Sequence, residues 1–164
     1  MGLEIERRFI VKGENWQCLI KEHQNINQGY LVSEKEGWTI RIRIVNEKRS
    51  WITLKYPHSD ISRHEFEYLI PLKEAIEIMK ITKNQVNKTR YLLNLKPGAW
   101  TVDCFKGKNH PLVLAEVELD TTDEVIQKPE WCQKEVTGIA ELSNASLAET
   151  PLSNWAIDKR RSIL

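Results

Sequence analysis

The chain has 164 residues, a length that fits one domain able to bury a core without disulfide or metal staples. Hydrophobic residues make up 41% and charged residues 29%, an ordinary globular composition. The 24 Lys and Arg nearly cancel the 23 Asp and Glu, which excludes a global basic field for nucleic acid or membrane and leaves any anion site to local arrangement.

The predicted elements are mostly short strands of period-2 alternation separated by turn residues. Leu3–Val11 comes first, followed by a short helix over Asn15–His23 and a weaker strand over Ile26–Val32. Trp38–Val45 alternates clearly, with Trp38, Ile40, Ile42 and Ile44 on one face and Thr39, Arg41 and Arg43 on the other. Ser50–Tyr56 and Ser62–Ile70 are the next strands. Pro71 then opens a helix in which Leu72, Ala75, Ile76 and Met79 fall at i, i+3, i+4 and i+7. Gln85–Leu93, Trp100–Phe105 and Leu112–Leu119 complete a set of about eight strands, enough for a small closed barrel. Turn chemistry at Lys96-Pro97-Gly98 and between Lys106 and Pro111 supports hairpins. From Thr121 onward the pattern is least strand-like, with helices expected near Asp123–Lys128 and Leu142–Glu149. The reading is one α+β domain over residues 1–164, with a core of about 2–148 and a helical tail of about 149–164.

Cys18, Cys104 and Cys132 are odd in number and lack CxxC spacing, as expected of reduced thiols in a cytoplasmic protein. The N-terminus carries two glutamates where a signal peptide needs an apolar stretch, and no run of about 18 apolar residues offers a membrane span.

The informative feature is which residues sit two apart, because residues i and i+2 of a strand share a face. Glu4, Glu6 and Arg8 point one way, as do Arg41 with Arg43, Lys88 with Arg90, and Glu116 with Glu118. Lys55 and Asp103 fall on the polar faces of two more strands. One account makes these the solvated faces of an antiparallel sheet. The other notes that like charges at neighbouring positions repel, so same-sign pairs on several strands suggest an oppositely charged ligand between them. Paired Arg and Lys suit phosphate oxygens, and paired glutamates supply hard oxygen ligands for Mg²⁺ or Mn²⁺. Periodicity alone leaves both accounts open.

Glu4-Ile5-Glu6-Arg7-Arg8 resembles the ExExK motif of the CYTH family, also called triphosphate tunnel metalloenzymes. The resemblance continues in order through Gln28-Gly29-Tyr30-Leu31, Arg41-Ile42-Arg43, Thr53-Leu54-Lys55, Ser62 to Glu67, Lys88-Thr89-Arg90-Tyr91, Val102 to Phe105, Glu116 to Leu119 and Trp131 to Thr137. It implies a closed eight-stranded antiparallel barrel with a few flanking helices, its charges turned inward. It also implies hydrolysis of a triphosphate, inorganic triphosphate before others, with Mg²⁺ or Mn²⁺ as cofactor. On that pattern Glu4, Glu6, Glu116 and Glu118 hold metal with Asp103 assisting. Arg8, Arg41, Arg43, Lys55, Lys88 and Arg90 grip phosphate, with Arg63 near a tunnel mouth. Tyr30, Arg8 and Glu6 stand at the chemistry. Relatives are often dimers, so a homodimer is an expectation of the resemblance that no patch in this sequence supports independently; neither nucleic acid nor membrane is expected as a partner.

Two positions depart from the family pattern. Arg8 replaces the motif's lysine, and an arginine keeps the charge but does not titrate near neutral pH. The lysine pairs with the tyrosine matching Tyr30 in small bacterial relatives; the alternative for Tyr30 is a barrel-core aromatic. After Glu135-Val136-Thr137, relatives continue with an acidic residue, an Arg-Tyr pair and an Asn, whereas here Glu141 replaces a basic residue and only Asn144 matches. Two further readings follow from the fold and these departures: a class IV-type adenylate cyclase, and a non-catalytic polyphosphate or nucleotide binder.

Overall fold

The computed structural model describes residues 2–59 and 62–164; Asp60 and Ile61, at the edge of the strand expected over Ser62–Ile70, and Met1 lie outside the described residues. Strands β1 (Gly2–Val11), β2 (Ile20–Ser33), β3 (Thr39–Val45), β4 (Arg49–Pro57) and β5 (Ser62–Leu69) precede helix α1 (Leu72–Ile81). Strands β6 (Gln85–Leu93), β7 (Ala99–Phe105), β8 (Val113–Glu118) and β9 (Cys132–Glu135) follow, then helices α2 (Asn144–Glu149) and α3 (Ile157–Ile163). The antiparallel order is β5-β4-β3-β2-β6-β7-β8-β1, and pairing of β1 with β5 closes eight strands into a barrel. Closure removes the sheet edges that would otherwise expose unpaired backbone.

The fold class and the eight barrel strands match the sequence expectation. Three details differ. The helix expected over Asn15–His23 is a 3-10 turn at Asn15–Leu19, and from Ile20 the chain is already the long strand β2. Residues 20–25 carry mixed polar side chains that hide the alternation, yet Ile20 to Asn25 pair with Leu93 to Thr89 of β6. The helix expected at Asp123–Lys128 is absent, since this stretch is a turn followed by irregular chain. The short strand β9 went unpredicted, its four residues being too few for periodicity to register; it pairs with β1 beyond the point where β5 leaves.

Apolar side chains on the outer faces are covered piecemeal. Ile42 and Ile44 of β3 pack on Ala75 and Met79 of α1, with Leu72 at the margin as the helical spacing predicts, whereas Ile76 of that expected face is 41% exposed and Ile78 packs instead. Gly29 of β2 lies directly beneath that helix. A Cβ there would sit 2.5 Å from Met79 Sδ and 3.0 Å from Thr82 Cγ2, so any larger residue would oblige the Met79 side chain to shift. Ile5, Phe9, Trp100, Val102, Ala115 and Val117 form a second outer cluster with Trp16 and Trp131. The third cluster is on the inner faces. Ile10, Val86, Phe105, Leu112 and Leu114 are buried against Leu142, Leu147, Leu152 and Trp155 of the C-terminal segment. That segment therefore fills one end of the barrel with apolar side chains.

Candidate active site

Every second residue of each strand faces the lumen, and barrel register decides which of them meet. Arg8 lies opposite Glu116 and Glu6 opposite Glu118. Glu4 lies opposite Arg63, Lys55 opposite Glu65, Thr53 opposite Glu67 and Arg90 opposite Asp103. Tyr30 is opposite Arg41, and Gln28 opposite Arg43. Cross-strand pairing thus sets most cations beside a carboxylate, and the inward account of the charge pairs is the one this structure has.

The deepest cluster joins β6, β7, β8 and β1. Lys88 (1% exposed) donates to Asp103 Oδ2 at 2.5 Å and to Asn144 Oδ1 at 2.9 Å. Arg90 donates to both oxygens of Asp103, Nε to Oδ1 at 2.8 Å and a terminal nitrogen to Oδ2 at 2.7 Å, and also to Glu116 Oε2. Arg8 donates through Nε to Glu116 Oε1 at 3.2 Å and through a terminal nitrogen to the Leu142 carbonyl at 2.9 Å. Burial pushes Glu116 up, but Arg90, Lys88 and Arg8 outweigh it and hold the carboxyl well below the ordinary range. For Lys88 burial wins over Asp103, and its pKa falls to about 8.

The opposite wall is β3, β4 and β5. Lys55 donates to Glu4 at 2.5 Å and stands 2.7 Å from Glu65 Oε2, in an orientation that leaves that oxygen without a hydrogen-bond partner. Glu67 accepts from Arg43 through both oxygens, at 2.9 and 2.6 Å, and from the Thr53 hydroxyl at 2.8 Å. Arg41 is 3.8 Å from the same carboxylate. The Nε–H groups of Arg41 and Arg43 are buried without an acceptor. Burial and the Arg41 charge lower the Arg43 pKa, yet an arginine keeps its proton at neutral pH. Two guanidinium groups with unmet donors are what a phosphate oxygen would satisfy.

Tyr30 is buried, and its hydroxyl accepts from Gln28 Nε2 at 3.0 Å. Burial pushes its pKa to about 12, with Arg41 beside it pulling the other way. Among the described residues Tyr30 makes no hydrogen bond to Arg8. Arg63 reaches Glu6 Oε1 at 3.3 Å with its side chain about one-third exposed, consistent with a place near a mouth. Glu141 faces solvent and pairs with Lys159 at 3.4 Å, so this departure lies outside the lumen. Sequence reasoning assigned no role to Gln28, Thr53, Glu65, Glu67 or Asn144, all of which contact lumen side chains. Glu65 and Glu67 share the i, i+2 face with Arg63, a signal of the same kind as the pairs that were read.

Whether these residues suit a divalent metal turns on the edge between β1 and β8. Glu6 and Glu118 are like charges directly opposite one another, an arrangement that is unfavourable without a cation between them. Burial first, then Glu116 and Glu4, raise the Glu6 pKa, and burial followed by Glu4 and Glu65 raises that of Glu118. Glu4 is held by Lys55, Glu6 by Arg63 and Glu116 by Arg8 and Arg90, while Glu118 has no cation partner among the described residues. The four still gather hard oxygens along one edge, so Glu4, Glu6, Glu116 and Glu118 fit a hard divalent cation. Asp103 fits less well, because its side chain is fully buried, against 12% exposed for Glu116, and both its oxygens are held by Lys88 and Arg90. Among the described residues, no group of three or more His, Cys, Asp or Glu side chains is already gathered at metal-binding distance.

The class is that of closed antiparallel barrels whose inner wall carries buried, mutually paired cations and carboxylates. Residues 2–151 match the CYTH domain, and the chain belongs to that family. It is 39% identical over 157 residues to a protein of Acetivibrio thermocellus named inorganic triphosphatase, covering 94% of this chain and 99% of that one. The solved structure of the inorganic triphosphatase NE1496 superposes with a TM-score of 0.63 at 30% identity, covering 90% of this chain and 95% of that one. A Hippeastrum protein described as a putative adenylyl cyclase with a dominant triphosphatase activity shares only the fold, at 11% identity and a TM-score of 0.56 over 74% of this chain and 80% of that one. No helix among the described residues is long and apolar enough to cross a membrane.

Proposed function

We propose that this protein is a metal-dependent triphosphatase whose preferred substrate is inorganic triphosphate. The observation that carries the proposal is the presence, in one lumen, of cations bearing unmet donors at Arg41 and Arg43 and of the carboxylates Glu4, Glu6, Glu116 and Glu118, with Glu6 and Glu118 directly opposed. The long match to a protein named inorganic triphosphatase supports the same choice of substrate.

On this reading Arg8, Arg41, Arg43, Lys55, Lys88 and Arg90 grip the phosphate chain, with Arg63 at the mouth. Glu4, Glu6, Glu116 and Glu118 hold Mg²⁺ or Mn²⁺, which when bound neutralises phosphoryl charge and lowers the pKa of water. The lumen arginines and lysines neutralise the charge that spreads over the phosphoryl oxygens as the terminal P–O bond breaks. A water attacks the terminal phosphorus from the carboxylate edge, releasing orthophosphate and pyrophosphate. Glu6 and Glu118 both have raised pKa values, and whichever of them is not engaged by the metal is suited to take up the proton from that water. Asp103 positions Lys88 and Arg90. Tyr30 orients the wall through Gln28 and Arg41, since a phenol with a pKa near 12 keeps its proton at neutral pH.

Incubation of the purified protein with triphosphate, ATP or thiamine triphosphate, plus Mg²⁺ or Mn²⁺, tests this directly. Orthophosphate and pyrophosphate in equal amounts from triphosphate are expected. Cyclic AMP from ATP would replace the reading with a cyclase, and tight triphosphate binding without any product would replace it with a binder.

A further inference from the structure

Glu67 sits where none of the proposed chemistry needs it. Its carboxylate lies among three donors of the cationic wall: a terminal nitrogen of Arg43, the Thr53 hydroxyl, and Arg41 at longer range. The contact to Arg43 is imperfect. Both carboxylate oxygens are served by one terminal nitrogen, while Nε of Arg43 and Nε of Arg41 stay buried without acceptors. A bidentate arginine–carboxylate pair would use both nitrogens of the fork. Glu67 thus compensates the charge of this wall without meeting its hydrogen-bonding capacity, and a tetrahedral phosphate offers oxygens enough for both.

We propose that Glu67 is a built-in counter-anion that occupies the Arg41–Arg43–Thr53 wall of the ligand-free tunnel and must yield before a phosphate group can bind there. The idea rests on the tunnel being a phosphate site, as proposed above. Glu67 keeps two adjacent buried guanidinium groups from repelling one another when no ligand is present. It does so at the expense of affinity for any phosphate that reaches them, so it tunes how tightly substrate and products are held. Both partners are partly exposed, Arg43 at 18% and Glu67 at 27%, so the competition is modest and reversible.

The experiment is calorimetric titration of the metal-free protein, in chelator, with inorganic triphosphate and with pyrophosphate, for wild type and Glu67→Gln. Glutamine retains an acceptor for Thr53 and Arg43 but removes the competing charge. Tighter binding of triphosphate by Glu67→Gln, by about fivefold, is expected from the loss of one partly exposed ion pair. With metal restored, KM should fall while kcat does not rise, a split that a purely structural loss would not give. In wild type, the Nε–H resonances of Arg41 and Arg43 should shift on titration, and the same shift should occur at lower triphosphate concentration in the variant. Unchanged or weaker binding by a variant that stays folded by circular dichroism overturns the counter-anion role. If Glu67→Gln does not fold, Glu67→Ser, which removes the charge with less bulk, must show the tighter binding or the proposal fails. Failure of the wild type itself to bind triphosphate would instead overturn the phosphate-site reading on which the inference rests.

Discussion

The inner faces of β1, β6, β7 and β8 change character along their length, and the two halves obey different rules. Toward one end they carry Glu4, Glu6, Arg8, Lys88, Arg90, Asp103, Glu116 and Glu118; toward the other, on the same faces, stand Ile10, Val86, Phe105, Leu112 and Leu114. The apolar half is sealed by Leu142, Leu147, Leu152 and Trp155 and behaves as ordinary close-packed core. The charged half is nearly as dry at its base, where Lys88 is 1% and Asp103 0% exposed, and the charges there are held because they are paired with one another. The seal and the charges touch at two points, Arg8 on the Leu142 carbonyl and Lys88 on Asn144. Stability and chemistry are therefore divided between neighbouring stretches of the same strands, and variants placed on either side of that boundary should separate them.

The largest effect is expected at Glu116. Glu116→Gln removes a carboxylate from the proposed metal edge and the anion that Arg90 and Arg8 share. Turnover of triphosphate should drop on the order of 10³-fold. Orthophosphate release with Mg²⁺ or Mn²⁺, alongside a circular-dichroism check of folding, measures it. A loss below tenfold would remove Glu116 from the metal edge.

The opposite outcome is expected across the boundary. Leu147 is fully buried in the seal, and Leu147→Ala should cost about 3 kcal/mol of unfolding free energy through lost burial and a residual cavity. Urea denaturation gives the number. The kcat of the folded fraction should stay close to wild type; a collapse of kcat with little loss of stability would show that the seal takes part in the reaction.

Lys88 lies on the boundary itself and should show both kinds of effect with opposite signs. Its folded pKa, about 8, is below that of an ordinary lysine, so between these values the unfolded chain binds the extra proton. Stability attributable to this group should therefore rise as pH increases through that window. The grip on phosphate should weaken over the same range as the ammonium loses its charge, raising the Kd for triphosphate by up to about tenfold. Lys88→Arg keeps its charge and should flatten both slopes. Parallel rather than opposed slopes in the wild type would contradict the assignment.

The division between the two halves was only partly legible in the sequence. The strands and their faces were readable because alternation over five or more residues is a strong local signal, as in Trp38–Val45. That the charges face inward could not be decided from one strand, since a solvated face and a lumen face have the same period. Register is invisible in a single sequence, so the pairing of Lys55 with Glu65 or Arg90 with Asp103 could not be read, and nothing assigned Glu65 and Glu67 a role. The seal was hidden for a different reason. Leu142, Leu147 and Leu152 sit on short 3-10 and helical turns whose spacing has no sustained period, so only the folded chain shows where their apolar side chains go.

The smallest effects are expected at Arg8 and Tyr30, two of the residues that the family pattern puts at the chemistry. A dyad of Tyr30 with the motif's fifth residue would make Arg8→Lys faster, by restoring a titratable partner. The geometry argues the other way. The Arg8 fork spans Glu116 and the Leu142 carbonyl at once, and a lysine reaches one of them at a time. Tyr30 rests on Gln28 and Arg41 with a pKa near 12, too high for a base at neutral pH. Arg8→Lys should accordingly lose about 1 kcal/mol of stability while turnover stays within about threefold of wild type. Tyr30→Phe should change kcat by a similarly small factor and leave the pH–rate profile where it was. A several-fold acceleration in Arg8→Lys, abolished when Tyr30→Phe is added, would move the chemistry from the carboxylate edge to that pair.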